Sequence, residues 1–442
     1  MPKRSTANSA TIPPPVNGWN TRDPISGMDP LYAVETINFV AKAGGVELRD
    51  GSLVDSGGMF NTSSAADNVV TVAAAPIGTT GALFPFAICG TLESAFVTIG
   101  CPFNAEPSTG VILGPGAPGN NYCWADTIPV IYKKLLFYIG DFAGTGVAIK
   151  YWDGAALLES GIAIPDLTIK LVTSYKQRLY FATRVRAGAT YTANLYYGDV
   201  DSIAAPLVAN IYPLESLLTL GGIISYIGTI STGGDALEEL FVVISDMGEV
   251  LVFSGNYPGS PTWALINRSI IPPPCGPHAY TKYSGDLLVF TINGLVSLKD
   301  SIQNNTGIKY LSENISSAFE GMSALYRYGF GTSLGWPTYV YFCAAWWPKQ
   351  ELIILSYPTT SSRTSATEQL VLHVPTNSWW KWTGLQVYSM AVVGDDLILG
   401  TVNGKILKMT GYYDEDPLVP AAVLTRDVKL RPAYNYFGDR SA

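Results

Sequence analysis

Histidine, cysteine and charge are all scarce in this chain, and each shortage closes off a class of function. Two histidines, His278 and His373, occur in 442 residues, about a hundred positions apart. A histidine metal cluster is thereby excluded, and a Ser/His/Asp triad would have to use one of these two. His373 lies inside an apolar run, His278 follows Pro277, and no Gly-x-Ser-x-Gly elbow accompanies them. The five cysteines (Cys89, Cys101, Cys123, Cys275, Cys343) are odd in number and widely spaced, with no Cys-x-x-Cys pair. Neither a disulfide framework nor a zinc ribbon is implied; they read as small buried hydrophobes of a chain made in a cytoplasm. Long apolar runs are missing too. The best, such as Leu135–Ile139 and Leu240–Ile244, are strand-length, well short of the roughly 18 residues a spanning helix needs. The expectation is a soluble chain with no membrane span.

Charged residues make up 14%, against about 25% in an ordinary domain. The 35 acidic side chains exceed the 27 basic ones, for a formal net charge of −8. No basic run exceeds Lys133-Lys134, which argues against reading a nucleic-acid duplex. The opening, Met1 to Pro15, carries Lys3 and Arg4 but then Ser, Thr, Asn and Pro, so it reads as an extended arm and not a secretory signal.

What is abundant points to β-structure. Hydrophobic residues reach 48%, with 44 Gly, 29 Pro, 26 Tyr, 16 Phe and 10 Trp. From about residue 84 the chain repeats one device, an apolar strand, a polar or glycine turn and a second apolar strand. The pairs are Phe84–Ile88 with Ala95–Ile99, Leu135–Ile139 with Ala148–Trp152, Leu179–Thr183 with Asn194–Tyr197, and Leu240–Ile244 with Val250–Phe253. Leu287–Ile292 with Val296–Leu298, Leu352–Leu355 with Leu370–Val374, and Leu397–Leu399 with Ile406–Met409 complete seven units. Their starts are 44 to 65 residues apart, near the roughly 40 to 50 of propeller blades. Turns such as Asp246-Met247-Gly248, Asn293-Gly294 and Asn403-Gly404 suit tight hairpins. A lone hairpin is marginal in water, and radial stacking of small sheets buries both faces while leaving short edges. The fold expected is therefore all-β, a β-propeller of six or seven blades with an extended N-terminal arm. A β-sandwich, whose strands recur every 8 to 12 residues, is the competing all-β reading. Residues 1–60 form the arm and a latch segment, 61–410 the propeller and 411–442 a closing segment. Two short helices are expected, one from Asp29 as N-cap with Pro30 at the first helical position, another over Ser312–Phe319.

Catalytic patterns fail one after another. Gly400–Ile406 resembles a P-loop in outline but has one residue too few between the glycines and ends in Ile where Ser or Thr must hold magnesium. A glycosidase needs two acids about 5 or 6.5–9.5 Å apart, yet Asp141, Asp153, Asp199, Asp246 and Asp395 all sit in turns, where Asp serves the backbone. The tryptophan groups, Trp346-Trp347 and Trp379-Trp380 with Trp382, suit either sugar stacking or packing between blades and subunits. No enzyme activity, cofactor or metal is expected.

The segment before the first unit carries a resemblance. Pro14-Pro15-Val16-Asn17-Gly18-Trp19-Asn20-Thr21-Arg22-Asp23-Pro24, then Met28-Asp29-Pro30, Asn38-Phe39 and Val46-Glu47-Leu48-Arg49-Asp50-Gly51, resembles the opening of propeller-type tail nozzles (tail tubular protein B-like) of short-tailed bacteriophages, the podoviruses. The signature positions are Gly18, Asn20, Arg22, Asp23, Pro24, Met28, Pro30, Asn38, Phe39, Arg49 and Gly51. Lys176–Phe181, Leu195–Tyr197 and the closing Gly411–Asp416, followed by a β-like Ala421–Lys429, resemble the family more loosely.

The resemblance implies a virion structural protein made in the host cytoplasm. It would be a homohexameric nozzle subunit below the portal-adaptor ring, in contact with tail fibres or tail needle and tip proteins. Viral DNA would pass through its lumen without sequence-specific binding. The chain is shorter than nozzle chains of well-known short-tailed phages, which implies a minimal nozzle. Six copies would carry a formal excess of 48 negative charges, which would keep a duplex sliding in an acidic lumen. The alternative is a receptor-binding or polysaccharide-degrading tail protein that uses the tryptophans and a carboxylate pair.

Overall fold

A computed structural model describes residues 13–42, 45–54, 67–77, 82–91, 96–100, 111–115, 135–138, 149–152, 157–159, 169–183, 185–187, 190–202, 210–231, 239–276, 278–303, 308–321, 342–359, 367–401, 406–415, 423–424 and 426–433. Between 55 and 170, and from 183 to 192, the description is of the backbone alone.

The chain is an all-β propeller. Seven small antiparallel sheets follow one another along the sequence, each built around one of the seven hairpins expected above. Blade 1 is Asp67–Ile77, Ala82–Thr91, Phe96–Gly100 and Val111–Pro115; blade 2 is Leu135–Tyr138, Ile149–Trp152 and Leu157–Glu159. Blade 3 is Ile169–Tyr175, Arg178–Thr183, Asn194–Tyr197 and Ile211–Pro213, with a small extra hairpin between its second and third strands. Blade 4 is Ile224–Ser231, Glu239–Ser245, Glu249–Ser254 and Ala264–Ile270. Blade 5 is Tyr280–Tyr283, Asp286–Thr291 and Gly294–Ser297. Blade 6 begins Cys343–Trp347, Leu352–Pro358, Thr367–His373 and Ser378–Trp382, and blade 7 begins Val387–Val393, Asp396–Thr401 and Ile406–Met409.

The first strand of each blade is innermost. First strands of blades 2 and 3, 3 and 4, 5 and 6, and 6 and 7 lie against each other, and Val387–Val393 of blade 7 returns to Asp67–Ile77 of blade 1, closing the ring. The pattern follows from burial. Middle strands such as Phe241–Ser245 and Leu352–Pro358 are buried on both faces because each blade is covered by its neighbours, so they read as unbroken apolar runs. Glycine takes the positive φ that the Asp246–Gly248 turn requires, +84° at Gly248. Asn403-Gly404 lies outside the described residues.

Segments from the first sixty and the last twenty described positions are woven into the last two blades. Ser52–Val54 pairs with Ile406–Met409 as the fourth strand of blade 7, immediately before the chain enters blade 1. Gly18–Trp19, Tyr32–Ile37 and Lys429–Pro432 extend blade 6 outward into a sheet of seven strands.

Two local expectations need correction. No helix starts at Asp29. Its Oδ1 accepts the Leu31 N–H at 2.8 Å to form a turn, and Tyr32–Ile37 is a strand. Local propensity there loses to pairing with Lys429–Pro432, about 400 residues away, which only the assembled ring supplies. The β-like Ala421–Lys429 is not one strand either: Val423–Leu424 belongs to blade 7 and Lys429–Pro432 to the blade 6 sheet. The second expected helix is present as Glu313–Ile315 in 3-10 form followed by a helical turn over 316–321. A helix at Leu298–Gln303 had no clear sequence signal. Among the described residues no helix is long and apolar enough to cross a membrane.

Candidate functional site

The signature residues converge on two stations where the N-terminal segment is fastened to the ring. At the first, Gly18 holds a φ of +78° and packs so closely on blade 6 that a Cβ there would stand 2.5 Å from the Trp379 carbonyl oxygen. Only glycine fits both the conformation and the approach. Buried Asn20 closes the next turn: its Oδ1 accepts the N–H groups of Arg22 and Asp23 at 3.0 and 3.1 Å, and its Nδ2 donates to Asp23 Oδ2 at 2.8 Å. That turn docks on the connector between blades 5 and 6, where the Asn314 carbonyl accepts the Thr21 N–H at 2.8 Å and Arg22 lies 3.5 Å from Glu313. Pro24 opens a short 3-10 turn, and buried Met28 and then Pro30 lead into the strand Tyr32–Ile37.

The second station is a buried charge network. Asn38, at φ +63°, turns the chain between two strands, and asparagine tolerates that conformation. Its Oδ1 accepts from Arg49 Nε and from the Thr383 N–H, both at 2.9 Å, and its Nδ2 donates to the Asp427 carbonyl at 2.7 Å. Phe39 follows, its carbonyl accepting Trp382 Nε1 at 2.9 Å. The Arg49 side chain is wholly buried, and all five of its donors are used. Two go to Asp414 as a bidentate pair at 2.9 and 2.7 Å, one to Asn38, and one each to the carbonyls of Asp50 and Thr383. Asp414 also accepts the Ser52 N–H and hydroxyl at 3.0 Å and two donors of Arg426 at 3.1 and 3.2 Å. Burial alone would raise the carboxyl's pKa, but the Arg49 and Arg426 guanidiniums outweigh it and hold Asp414 below the ordinary carboxylate range. Gly51 has the same role as Gly18, since a Cβ there would collide with the Tyr413 carbonyl.

These residues therefore clip the segments around 18–52 and 414–427 to blades 6 and 7. The signature segment stands out in the sequence and Asp414 falls within the looser Gly411–Asp416 resemblance, but its role and those of Ser52, Thr383 and Arg426 do not show, because a ring partner more than 300 positions away leaves no local trace.

Other candidates resolve as structure. Trp347, Trp379, Trp380 and Trp382 are buried, each N–H with an acceptor at 2.9–3.0 Å, and Trp346 packs edge-on against Tyr283 of the next blade, with centroids 4.8 Å apart. The four buried rings pack the interior, while Trp346 is half-buried against blade 5. Asp246 caps the Ile223 N–H at 2.8 Å, and Asp199 faces Arg178 at 3.8 Å; Asp141 and Asp153 lie outside the described residues. His373 is buried beside Thr376, Nδ1 to Oγ1 2.7 Å, and burial lowers its pKa. Cys275 and Cys343 are buried free thiols, the latter pushed by burial up to about 12. Among the described residues no group of His, Cys, Asp or Glu is placed to hold a metal ion.

One buried carboxylate escaped the sequence reading. Glu249, at the start of the third strand of blade 4, accepts the Thr219 N–H and hydroxyl and the Leu220 N–H at 2.9–3.0 Å, with Arg268 3.7 Å away. Burial pushes its pKa up, but these donors pull it below the usual value. It ties the loop before blade 4 to the blade itself. The only available signal was a lone acid opening the apolar run Val250–Phe253.

The seven inner strands carry just three charged residues, Asp67, Lys170 and Lys282. The inner strands themselves therefore carry no negative excess. There Tyr226 stacks on Tyr280 at 4.6 Å and Lys282 donates to Thr229 at 3.0 Å.

No family model and no curated protein matches the chain. Solved structures similar to it include BBS1N, from a crystal structure of its complex with ARL6DN, at 13% identity over 82% of this chain and 98% of that one, TM-score 0.42. The Pan2 WD40 domain of Neurospora crassa is 8% identical over 81% of this chain and 94% of its own, TM-score 0.42. Raptor of Chaetomium thermophilum is 10% identical over 85% of this chain but only 29% of its own, TM-score 0.41. At these values the propeller architecture rests on the strand pairings of the chain itself.

Proposed function

We propose that this chain is a virion structural protein, a tail nozzle or tube subunit that assembles as a homohexamer below the portal-adaptor ring and forms the channel for genome ejection. The observation that carries the reading is the convergence of the signature residues. Gly18, Asn20, Arg22, Asp23, Asn38, Arg49 and Gly51 serve one mechanical purpose, fastening the chain ends to the ring. A signature spent on a clasp and not on a catalytic constellation suits a part that acts by assembly. Viral DNA would run between subunits, not along one propeller axis, because aromatic pairs such as Tyr226–Tyr280 and Tyr283–Trp346 occupy the inner strands. Burial of Trp347, Trp379, Trp380 and Trp382 removes the main support for a polysaccharide-binding tail protein.

Electron microscopy of the purified protein, alone and mixed with the portal-adaptor complex, tests the reading. Sixfold rings with a central hole that cap the connector are expected. A monodisperse monomer that never joins the connector overturns it.

A further inference from the structure

The hydrogen bond between His373 and Thr376 closes a hairpin turn of blade 6, and the row of hydroxyls behind it gives that contact a direction. His373 ends the third strand of the blade and Ser378 opens the fourth, paired across the turn at 374–377. Pro375, Thr376 and Asn377 are exposed, whereas Ser378 and Trp380 are fully buried and His373 is nearly so. Trp380 Nε1 lies 2.9 Å from Ser378 Oγ, Ser378 Oγ 2.6 Å from Thr376 Oγ1, and Thr376 Oγ1 2.7 Å from His373 Nδ1.

Only one proton order satisfies every member of this row. An indole N–H can only donate, so Ser378 Oγ accepts at the buried end. The Ser378 hydroxyl proton then has a single acceptor among the described residues, Thr376 Oγ1; turned elsewhere it would be a buried donor without a partner, which costs more than such a bond returns. Thr376 in turn directs its own proton to His373 Nδ1, leaving the ring hydrogen on Nε2. Burial lowers the imidazole's pKa and the nearby Glu351 carboxylate opposes this only in part, so at neutral pH the ring is uncharged and able to take a proton.

An exposed hydroxyl that donates to a neutral, firmly held imidazole is the arrangement of an activated nucleophile. The setting is rigid. The Val374 N–H donates to the Glu351 carbonyl at 3.0 Å, pinning this turn to the one at 348–351 on the same end of blade 6. Each turn holds a non-glycine residue in the left-handed region, Glu351 at φ +55° and Asn377 at +49°, and such strain gathers at reactive sites. The Thr376 N–H has no acceptor among the described residues, so it is available to the oxygen that gains charge when a carbonyl is attacked.

We propose that Thr376 is a nucleophile towards carboxylic esters, with His373 as its general base. Thr376 Oγ1 bonds to the ester carbonyl carbon while its proton passes to His373 Nδ1, and the carbonyl electron pair moves onto oxygen. That pair returns as the carbon–oxygen bond to the leaving group breaks, and the departing alcohol takes the proton from His373. An acyl ester on Thr376 remains. Water then attacks it, again giving a proton to His373, which passes it to Thr376 Oγ1 as the carboxylic acid leaves. Ser378 and Trp380 touch no reacting atom and act as positioning residues. The activity is independent of the assembly reading above.

The test incubates the full-length protein with p-nitrophenyl acetate at neutral pH, where lysines are mostly protonated. Nitrophenolate release gives the rate, and mass spectrometry of the peptides gives the place. An acetyl group is expected on the peptide that holds Thr376. Thr376→Ser keeps the hydroxyl and should label as the wild type does, whereas Thr376→Val should lose the label. His373→Gln should slow labelling at Thr376 by about a hundredfold or more, the usual share of a general base. The wild-type rate should climb as pH rises through the lowered imidazole pKa and then level off. If His373→Gln does not fold, that profile and the Thr376 pair decide alone. Acetyl groups confined to lysines and tyrosines, a Thr376→Val chain that labels like the wild type, or a rate with no step in the imidazole range overturns the proposal.

Discussion

Replacing Asp414 by Asn keeps its shape and removes its charge, which isolates the value of the latch. In the wild type the carboxylate accepts six hydrogen bonds, four from the guanidiniums of Arg49 and Arg426 and two from Ser52. The Arg49 side chain has no solvent exposure, so Asp414→Asn leaves a buried cation without a counter-charge, at a cost of about 3–5 kcal/mol. Unfolding entropy of about 2.1 cal/mol/K per residue gives 442 residues roughly 0.9 kcal/mol per degree, so the melting temperature should fall by about 3–5 °C if the ring unfolds as a unit. If the clasp opens by itself, amide exchange at Ser52, Asn38 and Thr410 should quicken by about two to three and a half decades, at 1.36 kcal/mol per decade, while blade 4 amides stay unchanged. The pH dependence has a fixed sign. A carboxyl held below its ordinary value stabilises the fold fully above that value and loses the contribution as pH falls through its lowered one. The gap between wild type and variant should therefore be full at neutral pH and narrow as pH drops below the normal carboxylate range. A variant that melts within a degree of wild type and exchanges Ser52 no faster at neutral pH would refute the assignment of Asp414 as the centre of the clasp.

Other substitutions probe separate links. Gly18→Ala forces a Cβ against the Trp379 carbonyl at a positive φ and should cost about 1–3 kcal/mol, read as a lower urea midpoint. Glu249→Gln weakens three hydrogen bonds made to a charge and should cost about 1.5–3 kcal/mol; the loss should again fade in acid, since the wild-type carboxyl is held below its usual value. Cys275 and Cys343 should resist a thiol reagent at pH 8 in the folded protein and react at once in denaturant, because burial raises both thiols, Cys343 to about 12. Trp380→Ala should cost about 3–5 kcal/mol by opening a cavity in the core between blades 6 and 7.

The seven hairpins could be read in the sequence because the middle strands of each blade are covered on both faces. Unbroken runs such as Val242–Ile244 and Ile353–Leu355 advertise themselves. First and fourth strands are quieter. Ala264–Ile270 alternates exposed and half-buried residues with an Arg and an Asn among them, and Ile224–Ser231 carries Gly228 in its middle. Seven closed blades became countable only when Ser52–Val54 proved to complete the last one. The candidate site divides the same way. Gly18, Asn20, Asn38 and Arg49 stand out as a motif, but nothing local says that Arg49 meets Asp414, 365 residues on. Turn chemistry at Asp29-Pro30 misled for the same reason, since the strand that follows depends on Lys429–Pro432.

That separation also sets a schedule. At about 5–20 residues per second a ribosome needs roughly 20–70 s to deliver Asp414 after Arg49 has emerged. Throughout that interval the nascent strand Ser52–Val54 has no blade to join, because Ile406–Met409 is made almost as late. Any chain interrupted before Asp414 leaves its Arg49 cation without its bidentate carboxylate partner. Only a polypeptide translated past Asp414 can therefore form the clasp.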